Sequence, residues 1–373
     1  MKTVLVTGSE GFIGKNLVER LKRLSDLQLL CYDIGINEGK LENFLHDSDV
    51  VYHLAGVNRP PDPSEHGKVN AGLTASIVQH LHNVKRHPLL VLASSTQAVL
   101  DNPYGKSKLT AEETVTDFAQ ATGAPVRIFR FPGVFGKWCR PNYNSVVATF
   151  CHNVAHGLPI SVSDPAKELR LVYVDDVVSA LTGLLPEESP KPGCEMLSVL
   201  PEYSTTLAAL VDKITAFKSI RETLRLPDES DRFTRALHST YLSYLPKDNF
   251  AYPLTQRTDP RGELAELLKS EHFGQLFVSR TRPGITRGNH FHDTKIEKFC
   301  VIEGDAVIRF RHVRETEILE YKVSGRDFKV VDIPPGYTHS IENTGQEDLI
   351  VLFWSNEVFD PLHPDTTPAE VKA

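Results

Sequence analysis

Hydrophobic and polar residues follow two different patterns along this chain. In the N-terminal part, short runs rich in β-branched residues, such as KTVLVTG and DVVYHLAG, alternate with longer segments, such as LTASIVQHLHNV, whose apolar residues recur at helical spacing. Runs of the first kind are typical of strands, and segments of the second kind are typical of amphipathic helices. This alternation predicts an α/β fold, a doubly wound parallel sheet with helices on both faces.

The pattern changes in the C-terminal part. Residues 183–250 contain a group of prolines followed by two stretches of helical period, LAALVDKITAFKSI and SDRFTRALHSTYLSYL. From about Tyr252 onward, short strands such as KFCVIEG and LIVLFW are separated by glycine turns. Closely spaced short strands predict a small antiparallel barrel or sandwich. We therefore predict two domains, an α/β domain over residues 1–247 and an all-β domain over residues 248–373.

Composition and charge narrow the possible partners and the compartment. The 373 residues carry a formal net charge of −7 without a basic block, which disfavours nucleic acid or an anionic membrane as partner. The five cysteines form no CxxC pair, so we expect buried thiols in a reducing compartment. No apolar run approaches the roughly 20 residues that span a bilayer, and MKTVLVTG is too short for a signal peptide. These features predict a soluble, cytoplasmic protein.

A glycine-rich turn follows the first predicted strand. The stretch TGSEGFIG has Gly8, Gly11 and Gly14 between a strand and the start of a helix. Glycines allow the backbone to approach a pyrophosphate closely, and a helix N-terminus supplies N–H groups and the positive end of its dipole. Asp33 stands at the end of the second strand, where a carboxylate accepts hydrogen bonds from ribose hydroxyls and repels a 2′-phosphate. The residues alone therefore favour NAD(H).

A second constellation, ASSTQAVLDNPYGKSK, has the groups for proton transfer to a carbonyl. Tyr104 and Lys108 are four residues apart and share one face of a helix. A nearby ammonium lowers the pKa of a phenol and makes it a better acid–base catalyst. Thr96, or one of its neighbours Ser94 and Ser95, follows a strand and could hydrogen-bond a substrate carbonyl. We favour Thr96 among the three.

A third constellation lies in the all-β part. His290 and His292 alternate along a predicted strand and so face the same side of a sheet, and Glu297 follows five residues later. The stretch PPGYTHSIEN adds His339 behind a Pro–Gly turn. Three imidazoles and one carboxylate form a plausible site for zinc or another divalent transition metal, with room for water or substrate.

The N-terminal motifs resemble those of the extended short-chain dehydrogenase/reductase family, which acts largely on nucleotide sugars. Further matches are HLAG over residues 53–56, Asn70, RFPGVFG over residues 130–136, and Asp175 with Asp176. The resemblance covers roughly residues 1–245 and implies a Rossmann-type sheet, with Thr96, Tyr104 and Lys108 as catalytic residues. It implies cofactor contacts from Gly8, Gly11, Phe12, Ile13, Gly14, Asp33, Leu54, Ala55, Gly56, Tyr104 and Lys108. One departure is that only seven residues separate Thr96 from Tyr104.

The C-terminal motifs resemble the cupin family. The pattern HxHx₄Ex₆G followed by PPGxxHxxxN matches that family, although the glycine expected before the second motif is displaced to Gly325. The resemblance implies an all-β cupin barrel with one divalent metal, zinc in our prediction. Its ligands would be His290, His292, Glu297 and His339.

The two parts together resemble a family of bifunctional capsular-polysaccharide and O-antigen enzymes of the UDP-N-acetyl-L-fucosamine pathway. This resemblance implies a UDP-activated deoxy-amino sugar as partner, UDP-2-acetamido-2,6-dideoxy-β-L-arabino-hexos-4-ulose. It implies C3 epimerisation in the cupin domain and C4 reduction in the reductase domain, giving UDP-N-acetyl-6-deoxy-L-talosamine. It also implies NADPH, against Asp33, and we lean towards NADP(H) because Lys40 could reach a 2′-phosphate. We expect a homodimer.

Two alternatives compete with this hypothesis. The first is a monofunctional 4-keto-sugar reductase whose cupin domain only dimerises or senses sugar, and four metal-ligand residues speak against it. The second is a non-catalytic protein that binds nucleotide sugars or regulates, and the complete set of Thr96, Tyr104 and Lys108 speaks against it. Three candidates for the epimerase base remain unranked: Tyr337, Asp293 and His312.

Overall fold

The computed structural model describes residues 1–62, 65–185, 190–259, 262–265, 274–357 and 362–372. The chain divides into two compact units. Unit 1 comprises Met1–Val146 and Glu168–Thr205, and unit 2 comprises Val147–Lys167 and Thr206–Ala373. The predicted limits of the domains, 1–247 and 248–373, stay a prediction.

The N-terminal part of the chain alternates strands and helices as predicted. Its strands are β1 (Lys2–Thr7), β2 (Leu27–Tyr32), β3 (Val50–His53), β4 (Leu89–Ser95), β5 (Pro125–Phe131), β6 (Gly133–Phe135), β7 (Glu168–Tyr173), β8 (Gly193–Leu197) and β9 (Tyr203–Thr206). The helices are α1 (Phe12–Leu21), α2 (Glu38–Asp47), α3 (Leu73–Asn83), α4 (Pro103–Thr122), α5 (Val146–Ala155) and α6 (Val174–Thr182). A π-helix (His66–Gly72) precedes α3, and a short 3₁₀-helix (Thr96–Val99) follows β4.

Six strands form one parallel sheet in the order β2-β1-β3-β4-β5-β8. Helices α1 and α6 bury apolar residues on one face, while α2, α3 and α4 do so on the other. The predicted doubly wound sheet is thus confirmed, and β8 is a strand that the sequence pattern missed. The strand order reverses between β1 and β3, and ligands of such sheets bind outside the carboxyl ends of the strands at that point. The first candidate site lies there.

Unit 2 contains two capped helices and an all-β region. The helices α7 (Leu207–Thr223) and α8 (Arg232–Leu242) begin behind Thr206 and Asp231, whose side chains accept hydrogen bonds from backbone N–H groups of the first turn. The strands are β10 (Ala251–Pro253), β11 (Gln256–Asp259), β12 (Gly262–Ala265), β13 (Gln275–Thr281), β14 (Thr286–Phe291), β15 (Glu297–Glu303), β16 (Asp305–His312), β17 (Ile318–Ser324), β18 (Lys329–Ile333), β19 (Tyr337–Asn343), β20 (Leu349–Ser355) and β21 (Thr367–Pro368).

Two antiparallel five-stranded sheets make up most of this all-β region, in the orders β10-β18-β15-β20-β13 and β17-β16-β19-β14-β21. The short hairpin β11-β12 stands apart from both. This arrangement is consistent with the predicted cupin-like β fold. Among the residues described here, no helix is both long and apolar enough to cross a membrane.

Candidate active sites

The glycine loop of unit 1 packs closely on the turn after β3. Gly8 has φ +70°, and a Cβ on it would lie 2.7 Å from Ala55 Cα. A Cβ on Gly14 would lie 2.0 Å from the Gly8 carbonyl oxygen, so both positions require glycine. Helix α1 begins at Phe12, and in this described segment its N-cap Gly11 has no capping side chain. The first N–H groups of α1 are therefore suited to a phosphate.

Asp33 stands beside this loop. It follows β2, which pairs with β1, and its carboxylate accepts hydrogen bonds from the backbone N–H groups of Glu10 at 2.6 Å and Ile34 at 2.7 Å. The bond to Glu10 ties the carboxylate to the glycine loop. This position is the one expected for a residue that meets the adenosine ribose. Ile13, by contrast, packs against the apolar core on the α1 face of the sheet.

The HLAG stretch is held by buried hydrogen bonds. The ring of His53 lies 2.8 Å from the hydroxyl oxygens of both Thr7 and Thr74, one at each nitrogen. Burial, together with the charge of Lys108, lowers the pKa of His53 to about 3, so its imidazole is neutral. His53 thereby ties β1, β3 and α3 together. Leu54 and Ala55, which follow His53 directly, pack against Gly8 of the glycine loop, and Gly56 lies beside Asn70.

Asn70 holds the next part of the same turn. Its Oδ1 accepts from the Val57 N–H at 2.8 Å, and its Nδ2 donates to the Val57 carbonyl at 3.1 Å and to Ser107 Oγ at 3.0 Å. Asn70 belongs to the π-helix, a rare element that is frequent at functional sites. The asparagine of KVNAG therefore shapes the loop around the site.

Helix α4 presents the predicted tyrosine and lysine in its first two turns. The side chain of Asn102 caps the helix by accepting from the Gly105 N–H at 2.8 Å, and Pro103 is its first residue. Lys108 is buried, and its Nζ donates to the Ala93 carbonyl of β4 at 2.9 Å. Burial lowers the pKa of Lys108 to about 8. Tyr104 lies one turn earlier on the same face.

The Tyr104 hydroxyl takes part in hydrogen bonds with Ser95 and Asn58. Burial raises the pKa of Tyr104 above its ordinary value, although these two hydrogen bonds lower it. The phenol is thus protonated near neutral pH, which is the form that donates a proton to a developing alkoxide. His66 contacts the ring of Tyr104 edge-on, with the ring centroids 5.6 Å apart. Neither Asn58 nor His66 is part of a recognisable local motif.

The three candidate hydroxyl residues have different surroundings. Ser94 donates a short hydrogen bond to Glu112, which also pairs with Arg130 at 2.6 and 2.9 Å, so Ser94 belongs to a buried polar network. Ser95 is buried beside Tyr104, whereas Thr96 is exposed at the start of the 3₁₀-helix. This geometry favours Ser95 over the predicted Thr96.

One acidic residue of YVDDV, Asp175, forms an ion pair that connects two parts of the fold. The Nζ atom of Lys137 lies 2.7 and 3.0 Å from the two carboxylate oxygens of Asp175, and Lys137 is almost fully buried. The Lys137 carbonyl accepts from Asn16 Nδ2 at 3.3 Å. Lys137, which follows RFPGVFG, is therefore connected to the start of α6 by the ion pair and to α1 by its backbone carbonyl.

The four predicted metal ligands come together in unit 2. His290 on β14 lies opposite His339 on β19, and a bulge between Gly288 and His290 shifts the register there. The candidate ligand atoms of His290, His292, Glu297 and His339 all lie within 4.8 Å of one another. The four side chains come from three strands and one turn.

The pKa shifts of His290, His339 and Glu297 favour the protonation states that bind a metal. Burial, followed by the neighbouring His339 and His292, lowers the pKa of His290 to about 4, and burial also lowers the pKa of His339. Burial raises the pKa of Glu297, but the facing imidazoles of His292 and His339 outweigh it, so the net pKa lies well below the ordinary value. Neutral imidazoles and an ionised carboxylate are the forms that bind zinc.

Three buried ring nitrogens of this cluster have no hydrogen-bond partner in the part of the chain described here, namely Nε2 of His292 and both Nδ1 and Nε2 of His339. The two Nε2 atoms lie 3.3 and 3.5 Å from Glu297 Oε2. Buried polar atoms are normally satisfied, and an exception calls for an explanation. A divalent metal between these atoms provides one, so the residues present fit the predicted ion.

The three candidate epimerase bases differ in position. Tyr337 is two residues before His339 on β19, so both side chains lie on the same face, and His312 pairs directly opposite Tyr337. The rings of His312 and Tyr337 are 5.1 Å apart, and burial raises the pKa of Tyr337 to about 12. Asp293 instead lies in the turn after His292. Tyr337 and His312 therefore lie on the face of the sheet that carries His339, whereas Asp293 directly follows the candidate ligand His292.

Two family profiles match this chain. The NAD dependent epimerase/dehydratase family matches residues 4–195, and the polysaccharide biosynthesis C-terminal domain matches residues 257–367. The first match covers the glycine loop together with Tyr104 and Lys108. The second covers all four candidate metal ligands.

Individual proteins also match, two of them over nearly the full length and one over part of the chain. The UDP-2-acetamido-2,6-beta-L-arabino-hexul-4-ose reductase of Pseudomonas aeruginosa is 40% identical, covering 99% of this chain and 98% of that protein. The crystal structure of capsular polysaccharide assembling protein CapF from Staphylococcus aureus is 44% identical with a TM-score of 0.67, covering 99% of this chain and 100% of that one. UDP-glucuronic acid 4-epimerase from Bacillus cereus, solved with NAD, has a TM-score of 0.52 at 18% identity and covers 58% of this chain and 84% of that one, a likeness of fold alone.

Proposed function

The chain belongs to the NAD dependent epimerase/dehydratase family, and from this premise we propose that it epimerises and then reduces a UDP-4-keto sugar for polysaccharide synthesis. The substrate is UDP-2-acetamido-2,6-dideoxy-β-L-arabino-hexos-4-ulose, and the product is UDP-N-acetyl-6-deoxy-L-talosamine. The proposal rests above all on one observation, the presence in one chain of two separate sets of reactive groups. Tyr104 with Ser95 forms the first, and the buried cluster around Glu297 forms the second.

Reduction of the C4 ketone is assigned to unit 1. A reduced nicotinamide, when bound, supplies the hydride. Ser95 donates a hydrogen bond that orients the C4 oxygen, and Tyr104 delivers the proton that turns the oxygen into a hydroxyl. Lys108 is positively charged below its pKa of about 8 and favours the phenolate that Tyr104 leaves behind. The glycine loop over residues 8–14 and Asp33 hold the other end of the cofactor.

Epimerisation at C3 is assigned to unit 2. The C3 proton is acidic because it lies α to the C4 ketone. A divalent metal, zinc in our proposal, would act as a Lewis acid when bound by His290, His292, Glu297 and His339. Tyr337 and His312, on the same side of their strands as His339, are placed to exchange the C3 proton. No redox chemistry is required for this step, which is why zinc suits it.

Cofactor preference is a separate proposal. A nicotinamide cofactor follows from the family, and the Asp33 carboxylate beside the glycine loop supports NADH. Lys40, on the exposed side of α2, is the residue we invoke for NADPH. Asp33 and Lys40 lie within one short stretch after β2. Single substitutions can therefore measure how much each of them contributes to the preference for NADH or NADPH.

A monofunctional reductase is the second candidate function. In the part of the chain that the structure describes, Nε2 of His292 and Nε2 of His339 are buried, have no hydrogen-bond partner and face the Glu297 carboxylate. A barrel that only dimerises or senses sugar does not need such a cluster. These nitrogens favour the bifunctional hypothesis. The predicted homodimer stays a prediction.

The deciding experiment is NMR of the 4-keto substrate in deuterated water, with and without nicotinamide cofactor. We expect deuterium at C3 without cofactor, and the C3-inverted, C4-reduced sugar with it. Reduction without any C3 exchange would support the monofunctional alternative. Absence of both reactions, with the protein folded and metal-loaded, would exclude this substrate.

A further inference from the structure

A short turn joins two of the four candidate metal ligands. Strand β14 ends at Phe291 and β15 begins at Glu297. Residues 292–296 therefore lie outside the strands, and the hydrogen bonds of a β-sheet do not hold their backbone in place. Backbone N–H groups in such a largely buried turn need acceptors from elsewhere. The acceptors of these N–H groups therefore identify what holds the two ligands in place.

One carboxylate, that of Asp365, accepts three successive N–H groups of this turn. The donors are Asp293 at 2.8 Å, Thr294 at 2.7 Å and Lys295 at 2.6 Å, the first to Oδ1 and the other two to Oδ2. The hydroxyl of Thr294 donates to the same Oδ2 at 2.8 Å. Hydrogen bonds to a charged acceptor are roughly twice as strong as neutral ones. Asp365 thus determines the backbone course of the turn.

The next N–H group follows the same pattern. Ile296 donates to Asn356 Oδ1 at 3.1 Å, and Asn356 returns a backbone hydrogen bond to the Ile296 carbonyl at 3.2 Å. All four N–H groups between His292 and Glu297 are thus accepted by side chains that lie far along the chain. These distant residues therefore determine the backbone conformation of the turn.

Asp365 also acts on a ligand directly. Its backbone carbonyl lies 2.5 Å from His292 Nδ1. A carbonyl oxygen can only accept, so Nδ1 must carry the proton and Nε2 of the neutral ring keeps its lone pair. That Nε2 faces Glu297 Oε2 at 3.3 Å. The hydrogen bond at one ring nitrogen is what sets the tautomer and orientation of a metal-binding histidine.

The segment that carries Asp365 is itself anchored next to another ligand. Strand β21 pairs with β14, with Pro368 opposite His290. One residue further, the Ala369 N–H donates to the Asn289 carbonyl at 2.8 Å. Asp365 therefore lies only a few residues before the segment that is hydrogen-bonded to the strand of His290.

We propose that Asp365 is a positioning residue of the metal centre. Its carboxylate holds the turn from His292 to Glu297, and its carbonyl presents His292 Nε2 to the ion. This inference rests on the proposed function, since it presupposes that the cluster binds a metal. It adds a residue from outside the ligand motifs, 26 positions after His339.

The test uses the full chain, stripped of metal with a chelator and titrated with zinc against a chromophoric competitor. Asp365→Asn keeps the shape of the side chain but turns one acceptor oxygen into a donor, and Asp365→Ala removes both oxygens. We expect each variant to bind zinc about 10–100-fold more weakly than the wild type. Glu370→Gln is the matched control, because it removes an equal charge from an exposed side chain of the same segment and leaves zinc affinity unchanged.

A purely structural role is distinguished by cobalt(II) substitution. A general loss of stability lowers the melting temperature but leaves the visible spectrum of bound cobalt as in the wild type, whereas a displaced His292 changes its bands. We expect changed bands in Asp365→Asn and not in Glu370→Gln. Should Asp365→Ala fail to fold, the Asn variant decides. Wild-type affinity and spectrum in that variant overturn the inference. A wild-type protein that binds neither zinc nor cobalt overturns the proposed metal site itself.

Discussion

The candidate hydride-transfer site of unit 1 and the candidate metal site of unit 2 are made of different parts of the polypeptide. The first is largely backbone: N–H groups at the start of α1, and a loop where Gly8 and Gly14 leave no space for a side chain. The second is entirely side chains, three imidazoles and a carboxylate on antiparallel strands and one turn, and all of them except the half-buried His290 are buried. Backbone sites follow from a local turn, whereas side-chain clusters depend on the register between strands.

This difference predicts how each site fails. The proposed hydride-transfer chemistry is concentrated in Tyr104 and its hydrogen-bonding neighbours. The proposed metal site shares its function over four candidate ligands and over the residues that orient them. Substitutions in one unit should leave the reaction of the other intact if the two sites are separate.

The largest expected effect is that of Tyr104→Phe. The variant keeps the ring that His66 contacts but loses the hydroxyl that bonds with Ser95 and Asn58. Loss of the proton donor should lower the rate of C4 reduction by about 10²–10⁴-fold. Deuterium exchange at C3, followed by NMR, should remain at the wild-type rate. Loss of C3 exchange in a folded variant would mean that the two reactions share one site.

His290→Ala should impair the reaction assigned to unit 2, which is C3 epimerisation. Removing one of four ligands should lower C3 exchange by about 10³-fold, because a Lewis acid contributes several kcal/mol to this kind of step. Cofactor binding, measured by nicotinamide fluorescence, should not change. Metal removal with a chelator should reproduce the variant, and added zinc should restore only the wild type. Full exchange by metal-free wild-type protein would show that the epimerisation needs no metal.

The Ser95→Ala and Thr96→Ala pair sharpens the assignment within unit 1. Ser95 is buried against Tyr104 while Thr96 is exposed. Loss of the hydrogen bond to the C4 oxygen in Ser95→Ala should lower kcat for reduction by about 10²-fold. Thr96→Ala should behave as the wild type and serves as the control. The reverse order of effects would restore Thr96 as the catalytic hydroxyl.

The smallest effect is expected at Asp33. Like charge between this carboxylate and a 2′-phosphate costs on the order of 1–3 kcal/mol, so Asp33→Ser should improve NADPH use relative to NADH by about tenfold. The measurement is the ratio of kcat/KM for the two cofactors. Glu42→Gln removes an equal charge from an exposed position on α2 and should leave the ratio unchanged. An unchanged ratio in Asp33→Ser indicates that Asp33 does not face the ribose.

Local pattern was sufficient for most of the architecture. The buried runs of β1, β3 and β4 and the helical period of α3 are properties of consecutive residues, and they identified the parallel sheet before its strand order was known. Glycines at positions 8 and 14 were recognisable because a tight strand–turn–helix connection is itself local. The ligand spacing from His290 to Glu297 was recognisable for the same reason, since one strand and one turn contain it.

Contacts between distant segments could not be derived in this way. Ser95 and Thr96 are adjacent at the end of β4, and only one of them can face Tyr104 on α4. Which one does so depends on how β4 packs against α4, which the local sequence does not specify. Asn58 reaches Tyr104 from the loop after β3, and β8 joins the sheet from a stretch with a weak strand pattern. Such contacts depend on the packing of elements that no short window of sequence contains.

Residue types and short-range spacing therefore determined the kinds of chemistry that we propose, hydride transfer with a nicotinamide and coordination of a metal, because backbone conformation and ligand type are local properties. Tertiary structure decided which side chains complete each site. Asp365 is the clearest case, since nothing near it in sequence marks it as part of the proposed metal centre, and only the pairing of β21 with β14 brings it to His292. Hydrogen bonds act over about 3 Å in space irrespective of separation along the chain, so the supporting residues of a site emerge only once the chain is folded.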